Sequence, residues 1–426
     1  MVNILPLASL LLHSASVAHA SLQIVSGATW TGTNTGAHIQ AHGAGVVELD
    51  GTYYLIGEDK TNGSAFQNVN CYSSTDLVSW TYVGALLSQT SSGDLGPDRV
   101  VERPKVIYNA STGKYVLYMH VDSSSYGEAK IGVATGDTRE NGLRIDALTD
   151  DYLNVTSSVY LFDDYEAPAM VKKNGYYFLF ASHLSGWDPN DNVYTYSTNL
   201  SSGWSNWTTF ATVGSDTYSS QTNYVLPVSD ELTVYLGDRW VSDNLMASTY
   251  VWLPLNFSGT TVTMDDYVNW VPNVAEGGGA WTAGPGENDV EGEDGVLAGG
   301  AEVVDCTGCS GGEAAGYVGG STGGSVTFEG VVSNVTTTGT GTGTGTTIRI
   351  KYENGDSVQR FANVSCNGGA GQVVAFLPTD SGQGTPGSSV VTCGLEEGDG
   401  NVVVVVGRQG NGTYGPDVDR IMVPVS

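Results

Sequence analysis

Two glutamates stand in the same local context. Glu102 opens Glu102-Arg-Pro-Lys-Val-Ile-Tyr-Asn109, and Glu166 opens Glu166-Ala-Pro-Ala-Met-Val-Lys-Lys-Asn174. Each is followed by a proline two residues on, an apolar run, an Asn-containing turn and an aromatic strand. Two carboxylates in one concave, partly apolar pocket are the basic equipment for breaking a glycosidic bond. One keeps its proton for the leaving oxygen, and the other stays charged. Glu166 follows Tyr165 and leads into the apolar stretches 167–171 and 176–181, surroundings that raise a carboxyl pKa. Glu102 has Arg99 and Arg103 nearby in sequence, which favour its ionised form. A lone glutamate before proline is often only a polar residue closing a turn. It is the repeated register that favours chemistry.

The elements that must position these groups are visible in four similar runs. They begin at Gly51 (GTYYLIG), Gly113 (GKYVLYM), Gly175 (GYYFLFA) and Glu231 (ELTVYLG), roughly sixty residues apart. Helical periodicity is nearly absent, and the runs are separated by Gly, Asn, Asp and Ser turns. Repeats of that length suggest the blades of a β-propeller. The first strand of each blade lines the central channel, so equivalent positions converge. That register brings His42, Glu102, Glu166 and Gln221 to face one another, with the prolines stiffening the approach.

Further polar groups follow the aromatic strands: Glu58-Asp59-Lys60; His120, Asp122 and Tyr126; His183 and Trp187; Asp238-Arg239-Trp240. Aromatic rings beside carboxylates and an arginine suit a sugar, which stacks its C–H faces and hydrogen-bonds its hydroxyls. Trp240 reads better as propeller core. His42, His120 and His183 lack a ligand-like spacing and read as satisfied histidines rather than a metal centre.

The bulk properties set the context. Residues 1–20 read as a signal peptide, with an apolar core over 5–12 and an Ala18-His19-Ala20 cleavage site, so the expected location is extracellular. No later stretch reaches the roughly 20 apolar residues of a membrane span. Nine Asn-x-Ser/Thr sequons occur, at Asn62, Asn109, Asn154, Asn199, Asn206, Asn256, Asn334, Asn363 and Asn411. Cys306 and Cys309 read as a structural disulfide, Cys366 and Cys393 are spaced to close a useful loop, and Cys71 is left over. A net charge of −29 with only 16 basic residues argues against nucleic acid. A neutral polysaccharide is compatible with it, and a monomer is expected. All tryptophans lie at or before Trp281, after which the chain turns Gly-, Thr- and Val-rich. The expected organisation is a propeller over 21–275, a linker over 276–286 and a β-sandwich over 287–426. The alternating Thr and Gly of 336–347 read as a flexible loop.

At these residues the chain resembles glycoside hydrolase family 43, most of all its exo-β-1,3-galactanase branch. The resemblance rests on stretches that include Gln23–Trp30, Gln40–Gly45, Gly57–Lys60, Cys71–Trp80, Val101–Lys105, Asp122–Gly127, Glu166–Pro168, Ser185–Trp187 and Gly237–Trp240. It implies a five-bladed propeller and inverting, exo-acting hydrolysis of β-1,3-galactan, the arabinogalactan backbone, without a catalytic cofactor. Glu166 matches the general acid and Glu102 a second essential acid. Gln221 matches a glutamine standing where a general base is expected. Glu58, Tyr126 and Trp187 match galactose-binding positions, and His42, Asp238 and Arg239 are further candidates. Leu184 replaces a polar residue. The first-blade aspartate used as a base elsewhere in the family is absent, which argues against an arabinofuranosidase. About one blade of chain is missing between Ala134–Asp137 and Leu153–Thr156, and with it the Arg-Asp-Glu segment whose aspartate tunes the acid. The alternative is therefore a galactan-binding protein with impaired catalysis.

Residues 287–426 resemble carbohydrate-binding module family 35, a jelly-roll β-sandwich. The resemblance is carried by Val290–Gly295, Gly316–Gly319, Tyr352–Asp356 and Asp417–Ile421. It implies structural Ca²⁺ on Glu291, Glu293 and Asp419, and sugar contacts at Tyr317, Arg360 and Asn411.

Overall fold

A computed structural model describes residues 22–128, 130–132, 143–162, 164–274, 280–334, 345–379, 386–408 and 413–425. Almost everything in it is antiparallel β-structure. After a short strand, β1 (Ile24–Val25), the first unit folds as five separate sheets laid down in chain order. The first sheet holds β2 (His42–Leu49), β3 (Thr52–Glu58), β4 (Asn68–Ser74) and β5 (Thr81–Ser88). The second holds β6 (Arg99–Asn109), β7 (Lys114–Ser123) and β8 (Lys130–Gly132). The third has only β9 (Leu143–Leu148) and β10 (Val155–Phe162). The fourth holds β11 (Tyr165–Lys173), β12 (Tyr176–His183), β13 (Val193–Ser197) and β14 (Thr208–Thr209). The fifth holds β15 (Gln221–Pro227), β16 (Thr233–Arg239), β17 (Thr249–Ser258) and β18 (Thr261–Met264). β19 (Asn269–Val271) then pairs with β1 and with β20 (Thr282–Ala283), tying the two ends of this unit together.

The aromatic runs form the second strand of their sheets, and burial explains their composition. β16 is buried over nearly its whole length and β12 over most of its own, so both read as continuous apolar runs rather than alternating ones. The outer strand β5 is exposed at most positions and alternates. The first strands β2, β6, β11 and β15 surround an axial cavity of about 230 Å³ lined by Val46, Lys105, Ala169 and Tyr224.

One expectation changes here. The four repeats become five sheets, because a two-stranded hairpin occupies the place of the missing blade. It packs Leu143 and Phe162 against Leu179 and Ala181 of the fourth sheet. It departs from the repeat because β9 has no aromatic residue and β10 carries Tyr160 and Phe162 only at its end, without the glycine or turn that opens the other runs. The expected gap runs between Ala134–Asp137 and Leu153–Thr156: its residues 143–152 form β9 and the turn after it, and 133–142 lie outside the described residues. Within the stretch 276–286, expected as a linker, Thr282 and Ala283 form β20 and the following strand begins at Gly286.

The second unit is two antiparallel sheets over one core. One contains β21 (Gly286–Glu291), β23 (Glu302–Asp305), β24 (Glu313–Gly316), β26 (Thr346–Glu353), β29 (Gly387–Cys393) and β31 (Asp417–Val425). The other contains β22 (Val296–Ala298), β25 (Ser325–Ser333), β27 (Arg360–Cys366), β28 (Gln372–Phe376) and β30 (Gly398–Gly407). Ile348, Ile350 and Val423 of the first sheet meet Val326, Phe328 and Val405 of the second. Thr346 and Thr347, read as the end of a flexible loop, open β26. Disulfides join Cys306 to Cys309 and Cys366 to Cys393, and Cys71 is free and buried. The two units touch closely: Gln23 N donates to Thr347 Oγ1 (2.9 Å), His38 N to Gln359 Oε1 (3.1 Å) and Ala375 N to Thr31 Oγ1 (3.1 Å).

Candidate active site

The same backbone irregularity recurs in the four larger sheets. Between first and second strands the register slips after His42, after Glu102, after Glu166 and after Thr222. In the first three the residue after the slip is left-handed: Gly43 (φ 58°), Arg103 (φ 53°) and Ala167 (φ 56°). Such a bulge bends the strand and re-aims the neighbouring side chain. It turns Glu102 and Glu166 inward and lets Pro104 and Pro168 follow without a lost ladder bond. Only the first repeat has glycine there, for a second reason: a Cβ on Gly43 would lie 2.1 Å from Glu58 Oε1.

Glu58, Glu102, Arg103, Tyr126, Glu166, Trp187, Gln221 and Trp240 surround one cavity of about 350 Å³. Six of the expected residues thus come together: Glu58, Glu102, Tyr126, Glu166, Trp187 and Gln221. Three do not. His42 and Asp238 are fully buried behind the wall, where His42 Nδ1 meets Asp238 Oδ1 at 3.0 Å and Gly43 N donates to Asp238 Oδ2 at 2.8 Å. His42 stacks on Tyr250, and its strand partner Glu58 takes the place at the cavity that the repeat assigned to it. Arg239 turns away to donate to Tyr218 O (2.8 Å). Trp240, expected in the core, is instead a cavity wall. It meets Trp187 edge to face at 4.7 Å and donates Nε1 to Gln221 Oε1 at 3.0 Å. Leu184 is exposed.

The amide of Gln221 has its orientation chosen by its neighbours. Arg103 Nη2 (2.7 Å) and Trp240 Nε1 (3.0 Å) can only donate, so both must face the amide oxygen. The amide nitrogen is thereby turned to Glu166 Oε1, 3.0 Å away, which also accepts from Ser185 N at 3.2 Å. Both bonds land on one oxygen. Glu166 Oε2 has no hydrogen-bond partner among the described residues. No residue of the two-stranded sheet lines the cavity.

Glu102 sits in a different setting. Tyr126 donates to its Oε1 at 2.8 Å, and His120 Nδ1 lies 3.4 Å from its Oε2. Burial pushes the Glu102 carboxyl up, but His120, Lys60, Tyr126 and Arg103 together hold it down at about 2. Arg99, one of the two arginines expected to do this, is turned instead to Glu128 at 2.7 Å. Lys60 and His120 were not singled out for that role, and their places beside Glu58 and beside Asp122 in sequence were the available signal. Lys60 is almost fully buried, with Nζ 2.6 Å from Glu58 Oε2 and 5.5 Å from the centre of the Trp187 ring. Burial raises the Glu58 carboxyl against the pull of Lys60, while burial lowers Lys60 and the charges of Glu58 and Glu102 more than restore it. His120 is raised: burial opposes its charge, but Glu102 and Asp122 outweigh burial. The cavity therefore has one carboxylate fixed in its charged form and a second with one oxygen unbonded. Two tryptophans stand beside them.

In the second unit, Glu291 and Asp419 meet at Ser310, just after the Cys306–Cys309 disulfide, and Glu293 lies against the neighbouring Gly311. Ser310 donates its N–H to Asp419 Oδ1 (2.9 Å) and its hydroxyl to Glu291 Oε1 (2.9 Å). Glu291 Oε2 and Glu293 Oε2 are buried with no hydrogen-bond partner, the state in which a hard cation is accommodated. Asp419 is more occupied, since its Oδ2 pairs with Arg420 Nη1 at 2.6 Å. Tyr317 is exposed beside the exposed Tyr414 (5.7 Å), a neighbour the sequence did not single out. Arg360 donates to Asp356 Oδ2 (2.7 Å) and Gly415 O (3.1 Å). Asn411 lies outside the described residues.

No protein-family model matches the chain, and no curated protein matches it. Among solved structures it is similar to an exo-β-1,3-galactanase from Phanerochaete chrysosporium, crystallised as a Glu-to-Gln variant with β-1,3-galactotriose. Identity is 34% over 94% of this chain and 99% of that one, with a TM-score of 0.60. An exo-β-1,3-galactanase from Clostridium thermocellum is 25% identical over 93% of this chain and 99% of that one, with a TM-score of 0.56. A GH43 β-1,3-galactosidase is 29% identical over 66% of this chain and 71% of that one, with a TM-score of 0.55.

Proposed function

The chain belongs to glycoside hydrolase family 43, and from that premise we propose that it is a secreted, exo-acting, inverting hydrolase that releases galactose from β-1,3-galactan. One observation carries the reading: Glu102, Glu166 and the amide of Gln221 share a single tryptophan-walled cavity, with Glu166 bonded through one oxygen only. Glu166 Oε2 would carry the proton to the glycosidic oxygen as the sugar–oxygen bond breaks. A water on the opposite face of the sugar would be placed by Gln221 and Glu102. Gln221 Oε1 is already filled by Arg103 and Trp240, so Glu102, held ionised, is the stronger acceptor for that water's proton. Trp187 would stack on the terminal galactose, and Glu58 and Tyr126 would take its hydroxyls.

The second unit would act as a jelly-roll carbohydrate-binding module, holding the enzyme on its polymer and raising the local substrate concentration. Glu291 and Glu293, helped by Asp419, would hold Ca²⁺, and the two unbonded carboxylate oxygens support this fit. Tyr317 and Arg360 would contact sugar.

A second reading has a specific observation behind it. The two-stranded sheet contributes nothing to the cavity, so no described residue stands in for the aspartate that tunes the acid. On that reading the chain binds galactan without turning it over. The test is incubation of the wild type and Glu166→Gln with β-1,3-galactan and with an aryl arabinoside. Galactose released by the wild type alone supports hydrolysis. Release from neither, with retained pull-down by galactan, supports binding only.

A further inference from the structure

Eight of the nine sequon asparagines fall within the described residues, and they differ in exposure. Asn109 is 1% exposed, and its side chain is tied to Asp150 O (2.8 Å) and Thr112 N (3.0 Å). Asn363, in Asn363-Val-Ser365, is placed very differently. It lies mid-strand in β27 between Ala362 and Val364, both buried in the core of the second unit. Side chains alternate along a strand, so Asn363 points out of the opposite face. Its side chain has no hydrogen-bond partner among the described residues.

That face is not open surface. Asn363 stands directly across from Val373 of β28, and its Cβ lies 3.6 Å from where a Cβ on Gly371 would be. Gly371 and Val373 line a cleft of about 480 Å³ between the two units. Trp30, Thr31 and Val78 form the wall from the first unit, and Gln372, Val373 and Arg408 are among the residues opposite. The volume falls within the roughly 300–1,000 Å³ of small-molecule sites. Yet its polar groups are largely engaged already. Thr33 Oγ1 pairs with Thr81 Oγ1 (2.7 Å), Gln372 Nε2 donates to Thr392 O (2.7 Å), and Thr31 Oγ1 accepts from Ala375 N (3.1 Å). Such a lining is poor at capturing a diffusing ligand. Asn363 is not itself a lining residue, but a sugar linked to it reaches the cleft past its strand partner Val373, with an effective concentration fixed by the link.

We propose that Asn363 carries an N-linked glycan whose innermost sugars fill this cleft and join the two units. In the attachment step the Asn363 Nδ2–C1 bond forms as C1 leaves a polyprenyl-pyrophosphate-linked oligosaccharide. The pyrophosphate departs with the bonding electrons, and the amide gives up one proton. Apolar sugar faces then lie on Val373 and Val78, and hydroxyls meet Arg408. The inference rests on passage through a glycosylating secretory route and is independent of the catalytic reading.

The experiment is glycopeptide mass spectrometry on the full chain secreted from an N-glycosylating eukaryotic host, before and after endoglycosidase treatment of the native protein. The exposed sequon Asn256 serves as the reference. The expected result is an occupied Asn363 whose glycan survives native digestion at least ten times longer than that at Asn256, and is released at the same rate once the chain is unfolded. Asn363→Gln and Ser365→Ala should each remove one glycan and lower the midpoint of thermal unfolding. An unmodified Asn363 overturns the proposal, and so does a glycan released from native protein as fast as that at Asn256.

Discussion

Gln221 Nε2 donates to Glu166 Oε1 across 3.0 Å, joining residues 55 apart in sequence from the first strands of adjacent sheets. The amide cannot turn over without setting its NH₂ against two donors, Arg103 and Trp240. Glu166 is therefore held through one oxygen by a partner that is itself held. Removing that partner should cost catalysis more than binding. Gln221→Ala is expected to lower kcat on β-1,3-galactan by about 100-fold or more, the scale of a lost general acid or base contribution, with a much smaller change in KM. Steady-state kinetics decides it, and equal changes in both would remove Gln221 from the chemistry.

The charge on Glu102 depends on its neighbours. Its carboxyl is held at about 2, so it is ionised at any ordinary working pH. His120→Phe removes the largest of the favourable contacts while burial remains. With Lys60, Tyr126 and Arg103 still in place, the Glu102 carboxyl should then move up toward the ordinary glutamate range. If charged Glu102 is needed, the acidic limb of kcat/KM shifts to higher pH by one to two pH units. An unmoved limb would show that Glu102 acts by shape alone.

His38 links acid pH to stability. It is buried, and burial followed by the nearby His42 depresses its pKa to about 4, against the carbonyl contacts to Ser248 and Trp30. The unfolded chain, at about 6.5, takes up the proton first as pH falls. The stabilisation is therefore complete above about pH 6.5, declines as pH drops, and is gone by about pH 4. Its full size is about 3 kcal/mol. Denaturant unfolding measured between pH 7 and pH 4 should show a dependence that is shallower by up to one proton in His38→Asn.

Ala167 and Gly43 occupy the same bulge position with opposite tolerances. Ala167 pays the left-handed penalty, so Ala167→Gly is expected to stabilise the chain by up to about 1 kcal/mol. Gly43→Ala would drive a methyl into Glu58 Oε1. It should lower both the unfolding midpoint and affinity for galactan. Thermal melts and binding isotherms of the two variants give the comparison.

Calcium should act on stability rather than on the chemical step. With Glu291 Oε2 and Glu293 Oε2 buried and unbonded, added Ca²⁺ at a hundred times its Kd would stabilise the second unit by about 2.7 kcal/mol. A chelator should lower the melting midpoint of the wild type and leave Glu291→Gln/Glu293→Gln unchanged. Identical responses would place the metal elsewhere.

The sequence by itself determined the local matters. Repeated aromatic runs marked the second strands, because a strand buried on both faces must be apolar along its length. The shared Glu-x-Pro register marked Glu102 and Glu166, because equivalent positions in repeated sheets converge. Tertiary structure alone decided what depends on distant chain segments. His42 has the right register, yet Asp238 and Tyr250 claim it and Glu58 reaches the cavity instead. Trp240 looks like core but becomes a wall, since its N–H is needed by Gln221. Arg99 is adjacent to Glu102 in sequence and bonded to Glu128 in space. The hairpin in the third position carried no signature, since a two-stranded sheet with one face to protect needs only a few apolar residues. Register says where a side chain starts, and only packing from other sheets says which partner it meets.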